Sequence, residues 1–161
     1  MPGIDLSFTV PINASVHKVF EYCRDPRRIY AGDPMYKVVD ATLTPEGVGT
    51  RAHLEAKVLV FTEDIAIEYV AFVPDQRIVF DAHPTMTIAG RQLGSEIFNW
   101  TWMFVPADGG TTLDVELVNR GGARWERALD ALGAEKVISK QVRNRLARIK
   151  ASVKEQTTPV R

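Results

Sequence analysis

Glu96, Phe98, Trp100, Trp102 and Phe104 recur at every second position, and in a strand that spacing puts a carboxylate on the same face as four aromatic rings. A carboxyl kept away from water there has its pKa raised, as a general acid at neutral pH requires; near the strand's outer end it simply reaches solvent. A second run offers a phenol. Asp64 and Glu68 mark its wet face and leave Ile65, Ile67, Tyr69 and Ala71 on the other, where Tyr69 either orients a ligand oxygen or packs in the core with its hydroxyl on the backbone. In a third run Leu113, Val115 and Leu117 oppose Thr112, Asp114 and Glu116, and the apolar face continues to Asn119. Trp100 and Trp102 are flat surfaces suited to stacking on a ring, or else ordinary core.

The usual catalytic side chains do not converge. His53 falls on the face of Arg51, Glu55 and Lys57, which reads as solvent; His17 sits at the surface of a short helix; His83 ends a strand before Pro84. With three scattered histidines and the single Cys23, no local metal-ligand spacing exists and neither metal nor cofactor is implied; a spatial cluster of Asp81, His83 and Glu96 stays open. Gly47-Val48-Gly49 lacks the third glycine of a dinucleotide loop, and no Gly-x-Ser-x-Gly elbow occurs. Asn13-Ala14-Ser15 and Asn99-Trp100-Thr101 match a glycosylation acceptor in composition only. Cys23 lies on an apolar helical stripe and reads as a small buried hydrophobe.

The elements that must position these residues follow from periodicity. Ile4, Leu6, Phe8 and Val10 alternate with polar residues up to Pro11, which predicts a first strand. Asn13 is placed to cap a helix carrying Val16, Val19, Phe20 and Cys23, which stops at Asp25-Pro26; a second short helix spans about Arg27 to Tyr30. Six strands are expected near Tyr36–Leu43, Gly49–Val60, Glu63–Val73, Arg77–His83, Leu93–Val105 and Thr111–Asn119. Their punctuation is Pro45-Glu46-Gly47, Pro74-Asp75-Gln76, Pro84 through Gly90 and Asp108-Gly109-Gly110, with an unmarked turn near Phe61-Thr62. From Gly122 to Glu155 the spacing of Trp125, Leu129 and Leu132, then Ile138, Val142, Leu146, Ile149 and Val153, predicts one long helix. Its two stripes are offset by about a quarter turn at Gly133, so the halves face different things. Short connections suit an antiparallel sheet curved around that helix, and a cavity is the expected by-product.

The 161 residues, 45% hydrophobic and 25% charged, make one folded domain over 1–155 with a frayed tail over 156–161. The formal net charge is +0, so no global field draws the chain to nucleic acid. The distribution is uneven: from Gly121 to Arg161 ten basic residues face four acidic ones, a surplus of six that residues 1–120 balance. That basic helix either makes peripheral contact with an anionic membrane or acidic partner, or is a solvated face. No apolar run approaches a membrane span and no secretory signal opens the chain, which points to the cytoplasm.

Val10-Pro11-Ile12-Asn13-Ala14 with Val16, Val19 and Phe20, then Gly47-Val48-Gly49-Thr50-Arg51, Val73-Pro74-Asp75-Gln76-Arg77-Ile78, Trp102-Met103-Phe104 and Gly109-Gly110-Thr111-Thr112-Leu113 ahead of an amphipathic terminal helix resemble, in order and spacing, the START/Bet v 1-like (SRPBCC) helix-grip superfamily, in its polyketide cyclase/dehydrase and lipid-transport branch. The resemblance implies an α+β fold in which a seven-stranded curved antiparallel sheet grips the long C-terminal helix around an apolar pocket. It places Trp102 and Phe104 at buried positions, so Trp100, Phe98 and Glu96 face inward with them. It supplies no universal catalytic set. The leading expectation is a domain that holds a small hydrophobic molecule such as a lipid, polyketide or quinone. Tyr69, Glu96, Phe98, Trp100, Trp102, Asn119, Trp125 and Leu129 would lie near the ligand, the last two at the mouth. The alternative is a polyketide aromatase/cyclase or dehydratase with Glu96 or Tyr69 as acid and base. A third class is an interaction protein that uses its surface. No obligate protein partner is implied.

Overall fold

The structure, a computed structural model, describes residues 5–58, 61–93, 97–119 and 133–157. Strand β1 (Asp5–Ile12) leads into helices α1 (Val16–Cys23) and α2 (Pro26–Ile29). Then come β2 (Tyr36–Thr42), β3 (Arg51–Val58), β4 (Phe61–Val73), β5 (Arg77–Ile88), β6 (Arg91–Leu93), β7 (Phe98–Ala107), β8 (Gly110–Asn119) and helix α3 (Ala134–Thr157). The strands make one curved antiparallel sheet in the order β1-β8-β7-β5-β4-β3-β2, with β6 on the far part of β5. This is the helix-grip architecture, with one strand more than expected: Ile88 and Arg91 pair across a two-residue turn at Ala89 (φ +50) and Gly90 (φ +80).

Period-2 patterning sets the register. β1 pairs with β8 as Leu6↔Leu117, Phe8↔Val115 and Val10↔Leu113, so apolar side chains meet on the gripping face. That face continues through Trp102 and Phe104 on β7, Ile78 and Phe80 on β5, Ile65, Ile67 and Tyr69 on β4, and Leu54 on β3, all buried. From the helices, Val19, Phe20 and Cys23 of α1 and Val142, Leu146, Ile149 and Val153 of α3 join the same core. Each methylene buried this way contributes about 0.8 kcal/mol. α3 comes closest to β1 on one side and to α1 and α2 on the other.

Several expected boundaries move. β1 runs through Pro11, which pairs with Thr112 on an edge strand where its missing N–H breaks no ladder. α1 is capped by Ser15, not Asn13: the Ser15 hydroxyl accepts from the Lys18 N–H. α2 starts one residue early because Pro26 suits a first helical turn and Asp25 caps it through the Arg27 N–H. Pro84 through Ile88 is strand rather than loop. Pro84 falls between the stretches of β5 that pair with β7 (77–82) and with β6 (86–88), the gap where a proline is tolerated. Phe61 and Thr62, expected at an unmarked turn, are strand residues paired with Val58 and Lys57. Of the expected helix over 122–155, residues 122–132 lie outside the described residues; Gly133 has a left-handed φ of +70° and is not helical, and its carbonyl accepts from Lys136 and Val137 where α3 starts. α3 extends through Thr157.

Candidate functional site

On the gripping face the aromatic side chains form a continuous stack. The Tyr69 and Phe80 rings are 5.6 Å apart and nearly parallel, and Phe80 lies 5.9 Å from Trp100 and 6.2 Å from Trp102. Tyr69 is 1% exposed, and its hydroxyl donates to the Cys23 carbonyl at 2.9 Å, which pins α1 to the sheet. Burial drives the Tyr69 phenol far above its ordinary value and pushes the Cys23 thiol up as well. Trp102 is equally buried, yet its indole Nε1 has no hydrogen-bond partner among the described residues. Asn119 is buried at the end of β8 opposite Phe98, which is partly buried.

A charged group is set into this apolar surface. Arg145 of α3 is 3% exposed. Its guanidinium carbon lies 4.5 Å from the Tyr30 ring centre, 5.5 Å from Tyr36 and 5.9 Å from Trp100, a cation enclosed by three aromatic faces. Its Nε and Nη2 donate to Asp33 Oδ2 at 3.3 and 3.2 Å, and Arg148 Nη2 donates to the same oxygen at 3.0 Å. Asp33 Oδ1 accepts from the backbone N–H groups of Met35 and Tyr36 at 2.9 and 3.1 Å. One carboxylate thus ties α3 to the chain that enters β2.

A second carboxyl has no such tie. On the far part of the sheet the register runs Tyr36↔Ala56↔Glu63↔Met86 across β2, β3, β4 and β5. Glu63 shares its face with Ile65, Ile67 and Tyr69 by strand alternation. It is half-buried and forms neither a hydrogen bond nor an ion pair with another described residue. Burial holds its carboxyl above the ordinary glutamate range. Its charge is felt by the Tyr30 and Tyr36 phenols, both of which burial itself has already raised. Ala52, Ala56 and Ala82 are the small residues on this part of the face. An open pocket of about 540 Å³, lined by Tyr30, Asp33, Met35, Tyr36 and Val38 among others, lies where the α2–β2 connection meets edge strand β2.

Of the residues singled out from the sequence, Tyr69, Trp100, Trp102 and Asn119 lie buried on the gripping face, with Phe98 beside them. Glu96, Trp125 and Leu129 lie outside the described residues. His17 is at the surface with Nδ1 2.9 Å from Asp75 Oδ1, His53 is 3.4 Å from Asp64, and His83 is exposed. Asp81 accepts from the Asn99 amide at 2.8 Å. Among the described residues no three potential metal ligands come together. The periodicity argument overlooked Arg145 and Glu63. Arg145 is three residues after Val142 and four before Ile149, on the buried stripe, but had been counted with the basic surface; Glu63 is two residues before Ile65 on the inward face.

A curved antiparallel sheet holding a C-terminal helix, with an aromatic inner face and an opening at its edge, defines a helix-grip protein. The chain belongs to the polyketide cyclase / dehydrase and lipid transport family, whose model matches residues 3–154. Its SRPBCC-type fold is one that accommodates hydrophobic ligands. Solved structures share the fold at low identity. Protein Ms6760 from Mycobacterium smegmatis is 18% identical, with 96% of this chain and 93% of that one covered at a TM-score of 0.67. A putative uncharacterized protein from Rhizobium leguminosarum is 15% identical, with 94% and 95% covered at 0.66. A protein from Arthrobacter aurescens is 14% identical, with 95% and 87% covered at 0.67. No curated protein sequence matches this chain. Among the described residues no helix is long and apolar enough to cross a membrane.

Proposed function

We propose that this protein holds a small hydrophobic molecule, of the lipid, polyketide or quinone kind, between the inner face of its sheet and α3. The observation that carries the reading is the stacked aromatic inner face, in a fold that accommodates hydrophobic ligands; Tyr30 and Tyr36, which enclose Arg145 together with Trp100 of that face, also line the open pocket of about 540 Å³ at the α2–β2 connection. Aromatic and aliphatic area would supply affinity, and Tyr69, Trp100, Trp102, Asn119 and Phe98 are the residues we propose as the inner wall, on the ground that they share the gripping face. Glu96, Trp125 and Leu129 belong to the proposal on sequence grounds alone. The cytoplasm is the proposed setting, and peripheral membrane contact through the basic C-terminal segment a proposed accessory. Acid-base catalysis on a polyketide-like chain is the second reading, favoured by the half-buried carboxyl of Glu63 on the inner face.

Native mass spectrometry of the freshly purified protein, followed by organic extraction, tests the main reading. A stoichiometric lipophile lost on denaturation is expected. Empty protein that also fails to bind any member of a panel of aromatic and acyl probes overturns it.

A further inference from the structure

We infer that Glu63, with Tyr36 facing it across Ala56, forms a hydrogen-bonding pole that selects uncharged ligands carrying a hydroxyl group. The inference deepens the proposed ligand site and rests on it. Its ground is what Glu63 lacks. The buried cation nearest the inner face, Arg145, is engaged with Asp33, and no other described basic group pairs with Glu63. The groups that sense its charge are the phenols of Tyr30 and Tyr36, and those rings also enclose Arg145.

A half-buried carboxyl without a partner costs free energy, and the chemistry of the missing partner is restricted. A hydrocarbon leaves the carboxyl desolvated and unsatisfied. A carboxylate ligand is repelled while Glu63 is ionised. A hydroxyl donates to the ionised form and accepts from the protonated form, so it serves either state. Ala56 has only a methyl between the two polar side chains, and Met86 on the other side of Glu63 is unbranched and adapts its shape. The pole thus sits beside the small-residue part of the face, and Tyr36, its other member, also lines the open pocket at the α2–β2 connection.

Three probes with one ring system test this at pH 7: 2-naphthol, 2-methoxynaphthalene and 2-naphthoate, titrated by calorimetry and by intrinsic tryptophan fluorescence. Unaltered protein is expected to bind 2-naphthol about 10-fold more tightly than 2-methoxynaphthalene, equivalent to ~1.4 kcal/mol, with 2-naphthoate weakest. Glu63→Leu levels the first two to within about threefold, as loss of one charge-assisted hydrogen bond requires, and Glu63→Gln falls between. Thermal melts verify that both variants fold, and Glu63→Gln, which keeps the size of the side chain, carries the test if Glu63→Leu does not. Equal binding of 2-naphthol and its methyl ether by the unaltered protein, or a preference that survives in both variants, overturns the inference and leaves the hydrophobic site standing. Failure of all three rings to bind overturns both.

Discussion

Removing the Asp33 carboxylate should be among the most damaging single changes to this fold. Asp33 and Arg145 side chains are each 4% exposed, and Asp33 takes three guanidinium contacts on Oδ2 and two backbone N–H groups on Oδ1. Breaking a buried ion pair by deleting one partner costs about 3–5 kcal/mol, because the other charge stays buried. Orphaning the Met35 and Tyr36 N–H groups adds about 1 kcal/mol each where water does not replace the carboxylate. Asp33→Ala is therefore expected to lose ~5–7 kcal/mol in urea unfolding, most of the stability of an ordinary domain. Asp33→Asn retains an acceptor for the two N–H groups and should lose about 3 kcal/mol. Arg145→Met costs only ~1–2 kcal/mol, since the cation leaves and Arg148 still neutralises Asp33. The double variant Asp33→Ala/Arg145→Met should then lose at least about 2 kcal/mol less than the sum of the two single losses, because no unpaired Arg145 charge is left buried. An Asp33→Ala loss below about 1 kcal/mol, or strict additivity in the cycle, would refute the reasoning.

Two further outcomes are expected. Glu63 has a folded-state pKa above its unfolded value near 4.5, so its ionised form is penalised only in the folded protein. Stability lost through it is absent below that value, grows as the pH rises through the raised folded pKa and is complete above it. Glu63→Gln should accordingly melt higher than the unaltered protein at pH 7, with the gap closing below pH 4.5. Gly47 has φ +84°, and a Cβ there would meet the Phe72 ring, so Gly47→Ala should lose ~2–4 kcal/mol in chemical denaturation by combining left-handed strain with overpacking.

The strands were legible because one face of the sheet is buried and a period of two is then enforced residue by residue; Leu113, Val115 and Leu117 emerge just as their alternation with Thr112, Asp114 and Glu116 demands. Helix starts were less so. Asn13 and Ser15 are both good caps two residues apart, and the choice falls to Ser15 because Val19, Phe20 and Cys23 must reach the core from that start. Pro84 reads as a loop residue until tertiary pairing supplies a gap for it. The site was harder to see. A tally of charges along 121–161 treats Arg145 as surface, although its spacing from Val142 and Ile149 sets it on the core side; what makes that tolerable is Asp33, 112 residues away, and sequence distance hides such a partner.

The sheet's unequal strand lengths have a mechanical consequence. β7 begins at Phe98 and β8 ends at Asn119, level with Ala82, while β4 and β5 continue together to Thr62 and Thr87, where among the described residues short β6 pairs with β5 on the outer side. Glu63 and Met86 ride on that projection; Tyr69, Phe80 and Trp100 stand on the broad slab behind it. The row through Glu63 and Met86 is laddered to Ala56 and Tyr36 on one side and to Leu93 on the other, whereas the row through Tyr69, Phe80 and Trp100 runs on to Leu117 and Leu6. The two ends of the sheet thus lean on different strands, so a substitution that loosens β2 or β6 is expected to be felt at Glu63 before it reaches Trp100.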